Sequence, residues 1–377
     1  MAPNVPGMTK PFRIEIPQAD LDDLHRRLTE ARFADPVPGD EPDWSRGIPT
    51  AVVRELAEYW RDGFDWRAQE AALNGFPQFT TEIDGQTIHF LHVRSTDPDA
   101  VPLLLTHGYP GSVAEFLDVI GPLTDSFHVV VPSLPGFGFS TPLSGPGWEL
   151  ARTTDAFAEL MTRLGYDRFG AQGGDIGAGV TGRLAAVYPE RVLGTHVNSD
   201  RGTIALAGEQ LPLPADLTPA EQAELDAARE AWQAGRGYLD LQSHRPETIA
   251  AALTDSPVGQ LAWIAEKFEA WTNPAGGVDR DRLLTNVSLY WFTRSGATAA
   301  RFLYEAAHSG HGWLAPSDVP AGWAVFDSSP VVRRIMDPEE KIAHWSEFAE
   351  GGHFAAMEEP ELLVADIRAF FRGLAPR

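Results

Sequence analysis

The stretch Arg168-Phe-Gly-Ala-Gln-Gly-Gly-Asp-Ile-Gly-Ala-Gly-Val-Thr-Gly182 constrains the chain more than any other. It reads as a short strand, a glycine turn and a helix. Asp175 stands at the tip, with Gly173 and Gly177 two residues away on either side. Small residues at those places let strand and helix pass closely, and the tip residue is held in a strained backbone conformation. This is the small-x-nucleophile-x-small pattern of a nucleophile elbow, with Asp where esterases and lipases carry Ser. The exchange changes the chemistry. A carboxylate attacking an acyl carbon would give an anhydride, whereas displacement at saturated carbon gives an alkyl ester of the Asp itself. Water must then cleave that ester, so a base and an oxyanion hole are still required. The electrophile is therefore a strained or activated carbon, such as an epoxide or an alkyl halide. The plainer alternative is that Asp175 only caps the helix that follows.

Gly177-Ala-Gly-Val-Thr-Gly182 also fits G-x-G-x-x-G, but a dinucleotide fingerprint needs its first glycine in the turn directly after the strand. Here Gly173 and Gly174 occupy that turn and the matching glycines fall within the helix, so no nucleotide cofactor is expected. The 377 residues include no cysteine, which excludes disulfides and Cys-ligated zinc. With 30 basic against 53 acidic residues, the formal charge of −23 argues against nucleic acid or an anionic membrane as partner. No run approaches the ~20 apolar residues that span a bilayer, and Met1–Lys10 lacks the basic and apolar regions of a signal peptide. The expected address is cytoplasmic. A homodimer is compatible with the sequence but not specified by it.

Along the chain, residues 1–78 form an N-terminal arm. Phe12, Ile14 and Ile16 alternate like a strand, Asp20 opens a helix, and Asp35–Asp43 is a proline-rich connector. Helices follow over 50–62 and 65–73, carrying Trp60 and Trp66, aromatic enough to pack on the rest of the protein. Residues 79–200 alternate strands with helices. A hairpin turns at Asp84-Gly85, and Val101–Thr106 runs into His107-Gly-Tyr-Pro-Gly-Ser112, whose backbone N–H groups could face an oxyanion. Phe127–Pro132 is another buried strand and Arg191–Asp200 the last of this part. Such alternation implies a mostly parallel sheet covered by helices on both faces, an α/β class.

Residues 201–315 break the rhythm, with helical patterns near 219–234, 246–253, 257–270, 279–293 and 296–307, a helical lid suited to excluding water. Residues 316–377 resume the α/β pattern. Asp327 ends one strand (322–327), His353 follows another (342–345), and an amphipathic helix over 361–372 closes the chain. Strand ends on one side of such a sheet converge on a site, and the order Asp175, Asp327, His353 is that of α/β-hydrolase triads. His308 and His311 are spaced like a metal pair but lack a third ligand, so no metal is expected. Glu358-Glu359 reads as a pair at a helix start.

Together, His107-Gly-Tyr-Pro-Gly-Ser112, Gly173-Gly-Asp-Ile-Gly177 and Gly351-Gly-His-Phe-Ala-Ala-Met-Glu-Glu-Pro360 resemble the microsomal-type epoxide hydrolases. The aromatic arm and the lid segments Asp255-Ser-Pro-Val-Gly259 and Glu266-Lys-Phe-Glu-Ala-Trp271 extend the likeness over nearly the whole chain. The resemblance implies an α/β-hydrolase fold and cofactor-independent hydrolysis of an epoxide to a vicinal diol. It implies Asp175 as nucleophile, His353 as the base that activates water and Asp327 as the acid behind His353. It also implies Tyr238 and Tyr304 as lid acids, and the backbone N–H groups of Tyr109 and Ile176 as the oxyanion hole. A phenol with pKa near ~10 suits protonation of an alkoxide, because it keeps its proton at neutral pH until needed. The sequence departs from the family in three places. Tyr109 and Ile176 stand where the family often has Trp, and Phe326-Asp-Ser-Ser329 matches the usual acid motif loosely, leaving Asp200 as a substitute acid. A lid rich in Trp, Phe and Leu suits a bulky apolar or aromatic epoxide. Haloalkane dehalogenation uses the same Asp and His chemistry but wants side-chain N–H donors beside the nucleophile, which Ile176 lacks. A ligand-binding protein on this fold with an idle site is the third reading.

Overall fold

The computed structural model describes residues 9–35, 43–206, 213–312 and 316–374. Residues 36–42 of the proline-rich connector lie outside the described residues. The arm comprises β1 (Lys10–Phe12), α1 (Gln18–Thr29), α2 (Thr50–Asp62) and α3 (Trp66–Leu73). The strand expected through Ile16 stops at Phe12. Ile14 and Ile16 are buried outside the sheet, their N–H groups taken by the side chains of Asn74 and Glu70.

The sheet is built from β2 (Gln78–Ile83), β3 (Gln86–Val93), β4 (Val101–Thr106), then α4 (Leu117–Leu123) and β5 (Phe127–Pro132). It continues with α5 (Leu150–Arg163), β6 (Phe169–Gly173), α6 (Ile176–Val187) and β7 (Val192–Asp200). Six helices follow: α7 (Pro219–Gly235), α8 (Gly237–His244), α9 (Pro246–Asp255), α10 (Pro257–Trp271), α11 (Arg280–Thr293) and α12 (Ser295–His308). The chain then returns through β8 (Ala321–Phe326), α13 (Pro330–Met336), β9 (His344–Glu347), α14 (Ala355–Glu358) and α15 (Pro360–Leu374). The strand order is β1-β2-β3-β5-β4-β6-β7-β8-β9. The first three pairings are antiparallel and the rest parallel.

Period-two alternation divides the core between the two faces. Leu104, Val130, Phe169 and Ala171 pack with α5 and α6, while Leu103, Leu105, Val129 and Val131 pack with α4 and α15. The arm braces the inserted helices. Trp60 Nε1 donates to Ser288 Oγ at 2.9 Å, Tyr59 Oη to Asp281 at 2.8 Å, and Arg27 to the Asp255 carbonyl at 2.8 Å. α8 was not foreseen, and β9 lies two residues later than expected. No helix among the described residues is long and apolar enough to cross a membrane.

One contact fixes where α6 can start. A Cβ on Gly177 would overlap the Thr106 carbonyl oxygen of β4, and neither backbone can give way. Gly177→Ala is expected to cost about 1–3 kcal/mol by overpacking. A lowered urea midpoint at unchanged slope would measure it.

Candidate active site

The parallel strands β4, β6, β7 and β8 all point their C-terminal ends at one region, where open α/β sheets bind ligands. Asp175 sits between β6 and α6 with φ 53° and ψ −125°, a conformation that a non-glycine residue adopts only under strain. It occupies the N-cap position of α6, yet its side chain makes no capping hydrogen bond. The capping alternative is thereby removed, and the carboxylate is aimed away from its own helix. The side chain lies against Gly108, where any Cβ would overlap it. The Tyr109 N–H donates to Asp175 Oδ1 at 2.8 Å. Ile176 opens α6, so its N–H is among the first-turn donors without an intrahelical partner, at the positive end of the helix dipole.

His353 Nε2 stands 3.9 Å from Asp175 Oδ2. Its position is set by its own main chain, whose N–H donates to the Trp271 carbonyl at 2.9 Å, and by ring packing on Trp271 at 5.0 Å and Phe354 at 4.9 Å. Glu358 ties the same loop to the end of α10. One carboxylate oxygen accepts from the Asn273 N–H at 2.7 Å and the other from the Phe354 N–H at 3.0 Å. Glu358 is thus a clamp between the end of α10 and the loop of His353 rather than a charge at a helix start.

Behind His353 the structure places Asp200. His353 Nδ1 lies 3.3 Å from Asp200 Oδ2, and Asp200 Oδ1 accepts the Gly202 N–H at 2.7 Å. Asp327, the acid expected there, instead pairs with Arg201, Nε to Oδ2 at 2.9 Å. The reason is the register. Asp200 is opposite Phe326 in the β7–β8 pairing, so the two carboxylates emerge from adjacent strand ends, and Arg201 draws one of them outward. Asp327 also takes a positive φ of 45°. Burial raises its pKa, against the pull of Arg201.

Tyr238, on α8, lies flat on the Tyr109 ring at 5.8 Å with 4° between planes, and its edge meets Trp271 at 5.4 Å. Burial, then the charge of Asp175, push its pKa well above that of a free phenol. The Tyr109 hydroxyl accepts from Trp263 Nε1 at 2.6 Å. Tyr304 is not brought to this group. It is 36% exposed, and its ring lies on His308 at 4.2 Å. On α12 the inward positions fall on Phe302 and Leu303, which turns the next residue outward. Among the described residues no three metal-binding side chains are grouped.

Two charged groups escaped the sequence reading. Glu115 Oε1 fills the space that a Cβ on Gly111 would need, and its pKa is pushed up to about 8, chiefly by burial. Lys267 is buried, 3% exposed. Nothing in the sequence distinguishes either from a surface charge beside a helix.

The chain matches the family model "Epoxide hydrolase N terminus" over residues 9–116 and that of the "alpha/beta hydrolase fold" over 101–231. A Stigmatella aurantiaca protein provisionally named an epoxide hydrolase is 45% identical across 98% of this chain and 86% of its own length. "Epoxide hydrolase 1" of Sus scrofa is 35% identical across 96% of this chain and 88% of its own. The chain belongs to the epoxide hydrolase family. The enzyme superimposes on the Aspergillus niger epoxide hydrolase with a TM-score of 0.84, at 33% identity and covering 97% of each chain. For the juvenile hormone epoxide hydrolase of Bombyx mori the values are 0.81 and 30%, covering 97% and 94%.

The His353 imidazole has an unusual resting charge. Burial alone would lower the His353 pKa, but the hydrogen bond to Asp200 and the charges of Asp175, Asp200 and Glu115 raise it to about 9. Because that lies above the ordinary imidazole value, the stability it contributes is complete below about pH 6.5 and is lost as pH rises through about 9. An NMR titration of the ring tests which acid matters. Asp200→Asn is expected to lower the His353 midpoint by more than about one pH unit, and Asp327→Asn by less than about half of one.

Proposed function

We propose that the enzyme converts an epoxide to a vicinal diol through an alkyl ester on Asp175, with Asp200 rather than Asp327 behind the base. The observation that carries this reading is the uncapped Asp175 side chain, with the Tyr109 N–H on one oxygen and His353 Nε2 3.9 Å from the other. In the first step Asp175 Oδ2 bonds to an epoxide carbon, the ring C–O bond breaks, and the freed oxygen takes the Tyr238 proton. A Tyr238 that strongly resists ionisation suits an alkoxide, since it keeps its proton until a stronger base forms beside it. Alkylation also discharges Asp175, one of the charges that raise the His353 pKa. The imidazolium then yields its proton to the Tyr238 phenolate and becomes a base when a base is needed.

In the second step His353 Nε2 takes a proton from water, and the hydroxide attacks the ester carbonyl. The N–H groups of Tyr109 and Ile176 support the oxyanion. Collapse releases the diol and leaves one water oxygen in Asp175. The rings of Tyr109, Tyr238 and Trp271 pack together beside Asp175, and these apolar surroundings support an apolar or aromatic epoxide as substrate. Halide release from a chloroalkane, with no diol from any epoxide, would overturn the reading in favour of dehalogenation.

Asp175→Ala is expected to abolish diol formation. His353→Gln is expected to form the ester but to cleave it about 10²–10⁴-fold more slowly, so that intact-protein mass rises by the mass of the epoxide. One turnover in heavy-oxygen water should place the label in Asp175, and its absence there refutes the ester.

A further inference from the structure

Lys267 has no part in the mechanism above. It belongs to α10 within Glu266-Lys-Phe-Glu-Ala-Trp271, and its side chain is 4% exposed against 33% for its ion-pair partner Glu266, 2.9 Å away. The negative end of the pair therefore meets solvent while the ammonium points inward. It stands 4.6 Å from the centroid of the Tyr238 ring and 6.0 Å from that of Trp271. Burying an ammonium is costly unless partners compensate, and here one carboxylate and two aromatic faces do so.

We propose that Lys267 is a positioning residue for ring opening, fixing the Tyr238 ring and stabilising the phenolate that Tyr238 becomes. This rests on the reading of Tyr238 as the acid. When the epoxide C–O bond breaks, its electron pair stays on oxygen and the Tyr238 proton moves to it. The O–H pair remains on Tyr238, and its negative charge spreads into the ring carbons. A cation over the ring face attracts that charged ring more strongly than the neutral one. The stabilisation thus grows along the reaction coordinate, which is the condition for accelerating a step. The need is set by the surroundings, because burial and Asp175 both oppose ionisation of Tyr238. Arg236, whose charge favours ionisation of Tyr238, is held by Asp240 at 2.9 Å.

The test separates the two chemical steps by quenched single turnover, reading ester formation and ester decay by mass. Lys267→Met is expected to slow ester formation about 10- to 100-fold while decay stays within about 2-fold. In a Tyr238→Phe background the same change should add less than about 3-fold, since no phenolate forms there. The loss should be smaller for epoxides with electron-withdrawing substituents, whose alkoxides are less basic. The chain has no cysteine, so Lys267→Cys can be aminoethylated selectively in denaturant and refolded, and restoring the ammonium, with modification verified by mass, should restore the rate. This variant also serves if the methionine variant does not fold. Equal slowing of both steps, equal slowing with and without the Tyr238 hydroxyl, or no rescue would each overturn the proposal. If Tyr238→Phe itself leaves ester formation unchanged, the assignment of Tyr238 as the acid fails and takes the proposal with it. If Tyr238→Phe slows that step but Lys267 does not couple to it, this proposal alone fails.

Discussion

A backbone held at φ 53° on a residue with a Cβ is the constraint from which the rest of the site follows. Such a conformation costs about 1–3 kcal/mol and persists only where the surroundings over-determine it. Here β4 and β6 are hydrogen-bonded side by side, α6 begins against the Thr106 carbonyl, and the Gly108 turn leaves room for one carboxylate and nothing more. The strain lifts the carboxylate clear of its own helix end, so its two oxygens are free for the Tyr109 N–H and for His353. A residue that relaxed into an ordinary N-cap would bond to the helix and face no substrate.

The electrostatics are arranged around the same group. His353 lies between Asp175 and Asp200, and Glu115 adds a third carboxyl to the charges that raise its pKa. Asp327 is near but engaged with Arg201. Adjacent strand ends supply two acids, and one arginine decides which of them the imidazole meets. Beside Asp175 the charge balance reverses. Burial keeps Tyr238 neutral, and the Lys267 ammonium stands over its ring.

The elbow was legible because glycine spacing is a local signal: Gly173, Asp175 and Gly177 specify the turn without help from the rest of the chain. The alternation of strands and helices was legible for the same reason, through period-two runs such as Leu103 to Leu105. Partner choice between strand ends was not. Whether Asp200 or Asp327 meets His353 depends on the β7–β8 register and on where Arg201 points, and no short window of sequence contains either. The outward placement of Tyr304 has a related reason, since one residue along a helix rotates a side chain by roughly 100° and a motif match does not specify that rotation. The buried charges Glu115 and Lys267 looked like solvated helix residues because their burial is created by elements far away in the chain.

The hydrogen bond from the His353 N–H to the Trp271 carbonyl, with the Glu358 clamp beside it, joins the C-terminal end of α10 to the loop that carries the imidazole. The helix α10 and the loop that carries His353 are therefore mechanically one piece. Any displacement of α10 wide enough to admit a bulky guest must either break those bonds or carry the imidazole away from Asp175. On the proposed ester mechanism, opening and hydrolysis then compete for a single arrangement of the chain, and a covalently loaded enzyme would discharge its cargo only after α10 has settled.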